Sequence, residues 1–158
     1  IICRGTNLML GYYKNPEATA QIIDKDGWLH TGDLGTMDNQ GYVTIRGRSK
    51  NLLLNSSGHN IYPEEIESKL NNMLYVSESL IVLQNDKLVA LIYPDFDEAF
   101  ANGLQQPDIE KAMENNRIEL NLQLPSYSQI TKVKIHFEEF EKTAKKSIKR
   151  FMYQEAKG

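Results

Sequence analysis

Five basic residues, Lys142, Lys145, Lys146, Lys149 and Arg150, fall within nine positions near the end of the chain. A cluster of that density can bind phosphate-rich partners, a nucleic acid among them. A nucleic-acid surface calls for aromatic side chains interleaved with the charge for stacking. Only Phe151 and Tyr153 lie close, so the expected partners include no nucleic acid. The formal net charge of -3 gives no global attraction to polyanions, and any basic function has to be local. Three histidines, His30, His59 and His136, are too scattered for a zinc site. Cys3 is the single cysteine, which excludes an internal disulfide and points to a reducing, cytoplasmic setting. Asp24-Lys25-Asp26-Gly27 has two ligands of a calcium loop without the third or the closing glutamate, and reads as a turn. No metal-ligand set is expected. Asn55-Ser56-Ser57 fits a glycosylation acceptor by chance, since no charged-then-apolar leader precedes it. A glycine-rich phosphate loop of the Walker type is absent.

The elements that carry these residues change character midway. Residues 1–47 have turn signals at Asp24-Lys25-Asp26-Gly27, Gly32-Asp33 and Asp38-Asn39-Gln40-Gly41, with Tyr42 to Ile45 β-branched and aromatic. That part reads as all-β, with one short helix allowed after Pro16. Gly47-Arg48-Ser49-Lys50-Asn51 is a charged crossing, and residues 48–51 have the look of a hinge. From residue 52 to 158 helices and strands alternate. Pro63, Glu64 and Glu65 open a helix carrying Ile66, Leu70 and Met73. Ser79 to Leu83 and Lys87 to Tyr93 form a hairpin around Gln84-Asn85-Asp86, closed by Pro94. An irregular loop should lead to a second helix from about Asp108, with Ile109, Met113, Leu120 and Leu124 on one stripe interrupted by Asn116 and Arg117, ending at Pro125. Thr131 to Phe137 alternates as a half-buried strand, and Ser147 should cap a last helix. The expectation is an α+β fold: a small domain of helices packed on a short, mostly antiparallel sheet, preceded by a β-rich piece. No run of residues approaches a membrane span.

Several stretches together resemble the adenylate-forming enzymes, the superfamily of acyl-CoA synthetases, peptide-synthetase adenylation domains and luciferases. They are Gly11-Tyr12-Tyr13-Lys14-Asn15-Pro16-Glu17-Ala18-Thr19, Asp26-Gly27-Trp28-Leu29-His30-Thr31-Gly32-Asp33-Leu34-Gly35, the crossing at 47–51, Ser57 to Glu67, and Glu141 to Arg150. The resemblance implies that residues 1–47 end a large N-terminal adenylation domain, that 48–51 are its hinge, and that 52–158 are a C-terminal lid. It implies ATP, accompanied by magnesium held outside this stretch, and coenzyme A. Asp33 is similar to the aspartate that accepts hydrogen bonds from the ribose hydroxyls, a task suited to an acceptor-only carboxylate. Read alone, Gly32-Asp33 is a surface turn. Arg48 matches an arginine at the ribose side, and Lys50 matches the pivot whose torsions change when the lid swings. Both states of a two-state lid must lie within a few kcal/mol of each other, so proline at position 50 should trap one.

Ser57-Gly58-His59-Asn60 resembles the loop lining the pantetheine passage, where a glycine lets a narrow ligand approach the backbone. Gly58 could equally serve a turn alone, and His59 could assist at the thiol or merely pack. In the tail, the family's bridging lysine follows a glycine. Here Ser147 stands at the lysine's place and Lys146 one step earlier, so Lys146 is the expected substitute. Serine cannot neutralise charge developing in phosphoryl displacement, and losing such a group costs about 3 kcal/mol of barrier. Ile1-Ile2-Cys3-Arg4-Gly5 reads as a strand entered midway, hence a fragment inactive by itself. The stretch from Ser57 to Glu67 is most similar to long-chain fatty acid ligases. A lipid acid would bring peripheral membrane contact. The rival readings are an adenylation domain loading a carrier protein, and a non-catalytic module that binds coenzyme A or a protein.

Overall fold

A computed structural model of the protein describes residues 1–154. The chain divides into two compact units, Ile1–Asn51 and Leu52–Gly158.

In the first unit, β1 (Ile2–Cys3) pairs antiparallel with β2 (Leu29–His30). Between them α1 (Pro16–Ile22) starts where proline lacks an N–H that the helix could not use, and the Asn15 side chain accepts from the Ala18 amide at 3.0 Å. β3 (Asp33–Met37) and β4 (Val43–Arg48) form an antiparallel hairpin. Its turn is drawn tight by Asp38, whose Oδ1 accepts from the amides of Gln40 and Tyr42, both at 2.9 Å. The unit is β-rich with the one short helix allowed for it.

The second unit opens with β5 (Leu53–Leu54) paired to β6 (Asn60–Ile61), followed by α2 (Pro63–Leu70). A three-stranded sheet runs in the order β7 (Val76–Gln84), β8 (Lys87–Pro94), β9 (Ile130–Ile135). β7 and β8 are the expected hairpin, with Asn85 and Asp86 both at positive φ, 47° and 58°. That left-handed pair suits the tight two-residue turn. β9 pairs parallel with β8, so this sheet is mixed, while among the described residues every other strand pairing is antiparallel. The crossover from β8 to β9 is made by α3 (Phe96–Ala101) and α4 (Gln106–Asn121), as a parallel connection requires.

Both faces of this sheet are covered. On one, Ile81, Ala90, Ile92 and Ile130 pack against Ile66 and Leu70 of α2 and Ile109, Met113 and Leu120 of α4. On the other, Leu80, Val82, Val89 and Leu91 pack under Phe140, flanked by Ile148 and Tyr153. Burial on two faces is why β7 and β8 read as continuous apolar runs with no alternation. Burying a side chain such as Phe140, 2% exposed, stabilises by about 1.5–3 kcal/mol.

Four local expectations are corrected. The loop after Pro94 contains α3, whose N-cap Asp95 accepts from the Glu98 amide at 2.9 Å. α4 begins at Gln106, where the Asp108 carboxylate accepts from the Gln105 amide at 2.9 Å, and ends at Asn121, leaving Leu124 beyond it. Asn116 and Arg117 do not interrupt it: Asn116 Nδ2 donates to the Leu74 carbonyl at 2.9 Å and Arg117 Nη1 to that of Ile130 at 3.0 Å, tying the helix to its neighbours. Finally, Ser147 caps no helix. The chain makes a single 3-10 turn at Arg150–Met152, because Ile148 and Tyr153 are drawn onto the sheet while Phe151 and Met152 stay exposed.

Candidate functional site

The hairpin of the first unit sets Asp33 directly opposite Arg48. Arg48 Nη1 donates to Asp33 Oδ1 at 2.8 Å and to the Thr31 carbonyl at 2.9 Å. Ser49 adds its amide and hydroxyl to the Gly32 carbonyl, at 2.8 and 3.1 Å, and the Thr31 hydroxyl accepts from the Asp33 amide at 3.1 Å. Thr31-Gly32-Asp33 is thereby locked to Arg48-Ser49. Gly32, at φ 75°, takes the left-handed turn that brings the carboxylate round. The pair is half-exposed, so the ion pair itself is worth only about 0–1 kcal/mol. Its consequence is geometric: one direction of the guanidinium is fixed, and the carboxylate retains acceptor capacity for other donors. Lys50 follows in a 3-10 turn, Ser49–Asn51, with its side chain exposed.

In the second unit, the loop between β5 and β6 is drawn in by three side chains. Asn55 accepts from the Gly58 amide with its carbonyl at 3.0 Å and from the His59 amide with Oδ1 at 2.9 Å. Asp86, in the β7–β8 turn, accepts from the Ser56 amide at 2.8 Å and from the Ser56 hydroxyl. Those two donors hold the Asp86 carboxyl below its ordinary range. The His59 ring stacks on Tyr127 with centroids 4.6 Å apart and planes 8° from parallel. Two clefts of about 240 and 100 Å³ share Tyr127; Ser57 lines the larger and Asn60 the smaller. Gly58 has φ 78°, and a Cβ there would meet nothing within 4 Å.

The tail forms a second loop. Lys142 bridges Ile148, Thr143 N–H donates to the Ser147 carbonyl at 2.8 Å, and Lys149 N–H to that of Glu141 at 2.7 Å. The basic run divides in two. Lys142 pairs with Glu78 at 2.5 Å and Glu139 at 3.0 Å, Lys149 with Glu141 at 3.4 Å, and Arg150 with Glu67. Among the described residues Lys145 and Lys146, at the tip, make no ion pair. Lys146 has φ 59°, a conformation that favours glycine.

Glu67 was not singled out from the sequence. It is 7% exposed; Oε1 accepts from the Ile81 amide at 2.7 Å while Oε2 takes Arg150. Burial raises its carboxyl above the ordinary 4.5, opposed by the Arg150 guanidinium and the Ile81 amide. The available signal was a carboxylate sitting beside Ile66 on the stripe that also carries Leu70.

The two loops hang from opposite ends of the β7–β8 hairpin. The Gly58 loop is held at the turn by Asp86, the tail at Glu78 near the start of β7. Gln84, at the turn end, is six residue steps from Glu78, roughly 20 Å of strand at about 3.3 Å per residue. Among the described residues no group of three His, Cys, Asp or Glu side chains is arranged for a metal, and no helix is long and apolar enough to cross a membrane.

Residues 50–156 match the family of AMP-binding enzyme C-terminal domains. Over 98% of its length the chain is 32% identical to probable acyl-activating enzyme 4 of Arabidopsis thaliana, of which it covers 27%. Over 40% of its length it is 53% identical to the long-chain-fatty-acid–CoA ligase of Salmonella typhimurium, covering 11% of that protein. The ATP-bound structure of MatB from Rhodopseudomonas palustris superimposes with a TM-score of 0.64 at 28% identity, over 95% of this chain and 28% of MatB. The chain thus spans less than a third of each of these relatives. With the C-terminal family matched over more than half of its residues, and the same fold carrying both motif loops, the chain belongs to the adenylate-forming superfamily of AMP-binding enzymes.

Proposed function

We propose that the whole protein is an AMP-forming acyl-CoA synthetase acting on a fatty acid, with residues 52–158 its mobile lid and 1–47 the end of its adenylation domain. In the first half-reaction a carboxylate oxygen attacks the α-phosphorus of ATP, which travels with magnesium, and pyrophosphate leaves. In the second, the thiol of coenzyme A attacks the acyl carbonyl, AMP leaves, and the thiol proton is lost. Asp33 accepts from the ribose hydroxyls and Arg48, directed by that same carboxylate, lies against the nucleotide. Lys146 supplies the cation at the α-phosphate. Ser57, Gly58, His59 and Asn60 line the thiol's passage, and Lys50 is the pivot. The lone Cys3 fits a cytoplasmic setting.

One observation carries this reading: two motif loops with separate anchors sit at opposite ends of one hairpin. A lid that serves two reactions in turn needs two such ends. The likeness to the long-chain ligase is what supports a fatty acid, while other relatives are named for different acids, so the panel of acids carries that part of the test. The test is the full-length protein with ATP, coenzyme A and acids from acetic to hexadecanoic, following pyrophosphate and AMP separately. Release of both, dependent on acid and thiol, is the expected result. Absence of acid-dependent pyrophosphate release overturns the proposal. Pyrophosphate release without thiol-dependent AMP release indicates a carrier-protein acceptor.

A further inference from the structure

We infer that Arg150, clasped by Glu67, is a positioning residue for the first half-reaction alone: it holds the stem of the Lys146 loop against the sheet. This rests on the activity proposed above.

The stem has two sides, and each is tied to the body of the unit. On the incoming side Phe140 is buried in the sheet's second face and the Glu141 amide donates to the Tyr153 hydroxyl at 2.8 Å. On the outgoing side Arg150 reaches Glu67, whose other oxygen accepts from the Ile81 amide at 2.7 Å. A single carboxylate therefore joins α2, β7 and the tail. The tip carrying Lys145 and Lys146 is exposed, and the stem is what directs it. An exposed cation on a five-residue loop reaches a reacting phosphate only if the stem fixes its direction, and an error of about 1 Å can cost on the order of a hundredfold.

The Gly58 loop shares none of these anchors. Asp86, Asn55 and Tyr127 hold it at the other end of the hairpin. Loosening the clasp should leave the thiol step alone. A group serving only overall stability would slow both steps together.

The closing experiment uses the full-length protein with dodecanoic acid as probe and two variants. Arg150→Met/Glu67→Gln removes both charges, while Gln keeps an acceptor for the Ile81 amide, so no buried charge is stranded. Tyr153→Phe releases only the Glu141 amide, which is exposed and can turn to water. Acid-dependent pyrophosphate exchange reports the first half-reaction, and thioester formation from synthetic dodecanoyl-adenylate and coenzyme A reports the second. The double variant should lose pyrophosphate exchange at least tenfold and Tyr153→Phe about threefold, with thioester formation within twofold of wild type in both. If both steps fall in parallel, or neither falls, the clasp inference is overturned while the activity stands. Should the double variant fail to fold, Arg150→Lys, which keeps the charge beside Glu67 but loses the guanidinium fork, decides by the same criterion. A wild type inactive in both assays with every acid defeats the proposed activity, and the inference with it.

Discussion

The Gly58 loop and the tail loop are built in opposite ways. The first is held by acceptors at the surface, the exposed Asp86 and the half-buried Asn55, whose bonds water can replace. The second is carried on a buried carboxylate and on Phe140 in an apolar layer. The tail is thus part of the core that it decorates, whereas the Gly58 loop is only attached to it. Damage to the tail's anchors should therefore appear in stability as well as in the first half-reaction, and damage to the Gly58 loop chiefly in the thiol step.

The largest effect expected is that of Glu67→Ala. It leaves the Arg150 guanidinium, 15% exposed, without its carboxylate and orphans the Ile81 amide. Breaking a buried pair on one side costs about 3–5 kcal/mol. Urea unfolding of the variant should show that loss; a change below about 1 kcal/mol would make the two loops alike in their dependence on the core.

Gly58→Ala comes next and separates the two readings of that glycine. An alanine at φ 78° is strained by roughly 1–2 kcal/mol, and its Cβ meets nothing within this chain. If Gly58 serves a turn, stability drops by that amount and thioester formation is unchanged. If a narrow ligand passes there, thioester formation from a preformed acyl-adenylate falls by on the order of a hundredfold, far beyond what the strain explains.

The dependence on pH sharpens the contrast further. The folded Glu67 carboxyl is raised above 4.5, so between that value and its folded value the native state binds more protons than the unfolded chain. Its contribution therefore falls as pH rises through that window, by less than about 1.4 kcal/mol per pH unit for one proton. Asp86 and Glu114 are lowered by their hydrogen-bond partners and contribute in the opposite sense: their stabilisation is present above the ordinary carboxylate range and is lost as pH falls. The measurable quantity is the difference between wild type and Glu67→Gln. Subtracting the two stability curves should leave a term that declines with rising pH; a term that grows would mean that Arg150 outweighs burial at Glu67.

What the sequence conveyed follows the range of the interaction involved. The β7–β8 hairpin was legible because two apolar runs flank Asn85-Asp86, and α2 because Pro63, Glu64 and Glu65 mark its first turn. α3 escaped because a six-residue helix has too few turns to show a period, although Asp95 marks its cap. The tail misled for a clearer reason. Its apolar residues have helical spacing, yet Ile148 and Tyr153 are used singly against a sheet face whose exposure no local pattern reveals. In the candidate site the residue types were readable and their partners were not. Asp33 and Arg48 are fifteen positions apart, and counting outward from the turn would have set Asp33 opposite Gly47; the irregularity between Leu34 and Gly35 shifts the register by one and brings Arg48 there instead. The clasp between Glu67 and Arg150 spans 83 residues and follows from no pattern at all.

The smallest effect expected lies at the tip of the tail. Lys146 is held at φ 59°, where an L-residue is strained by roughly 1–2 kcal/mol and glycine is not. Glycine loses more backbone freedom on folding, by about 0.5–1 kcal/mol, so Lys146→Gly should stabilise by a net of about 0.5 kcal/mol. Such a gain is near the limit of denaturant titration, but its sign is opposite to that expected of Glu67→Ala and Gly58→Ala. The same substitution removes the proposed cation, and pyrophosphate exchange should fall by roughly a hundredfold. Stability up and first half-reaction down would mean that this position tolerates backbone strain for the sake of a charge. If exchange is unaffected, the cation at the α-phosphate is some other group, and restoring a lysine at Ser147 in the Lys146→Gly background becomes the way to find out whether the loop can carry one there.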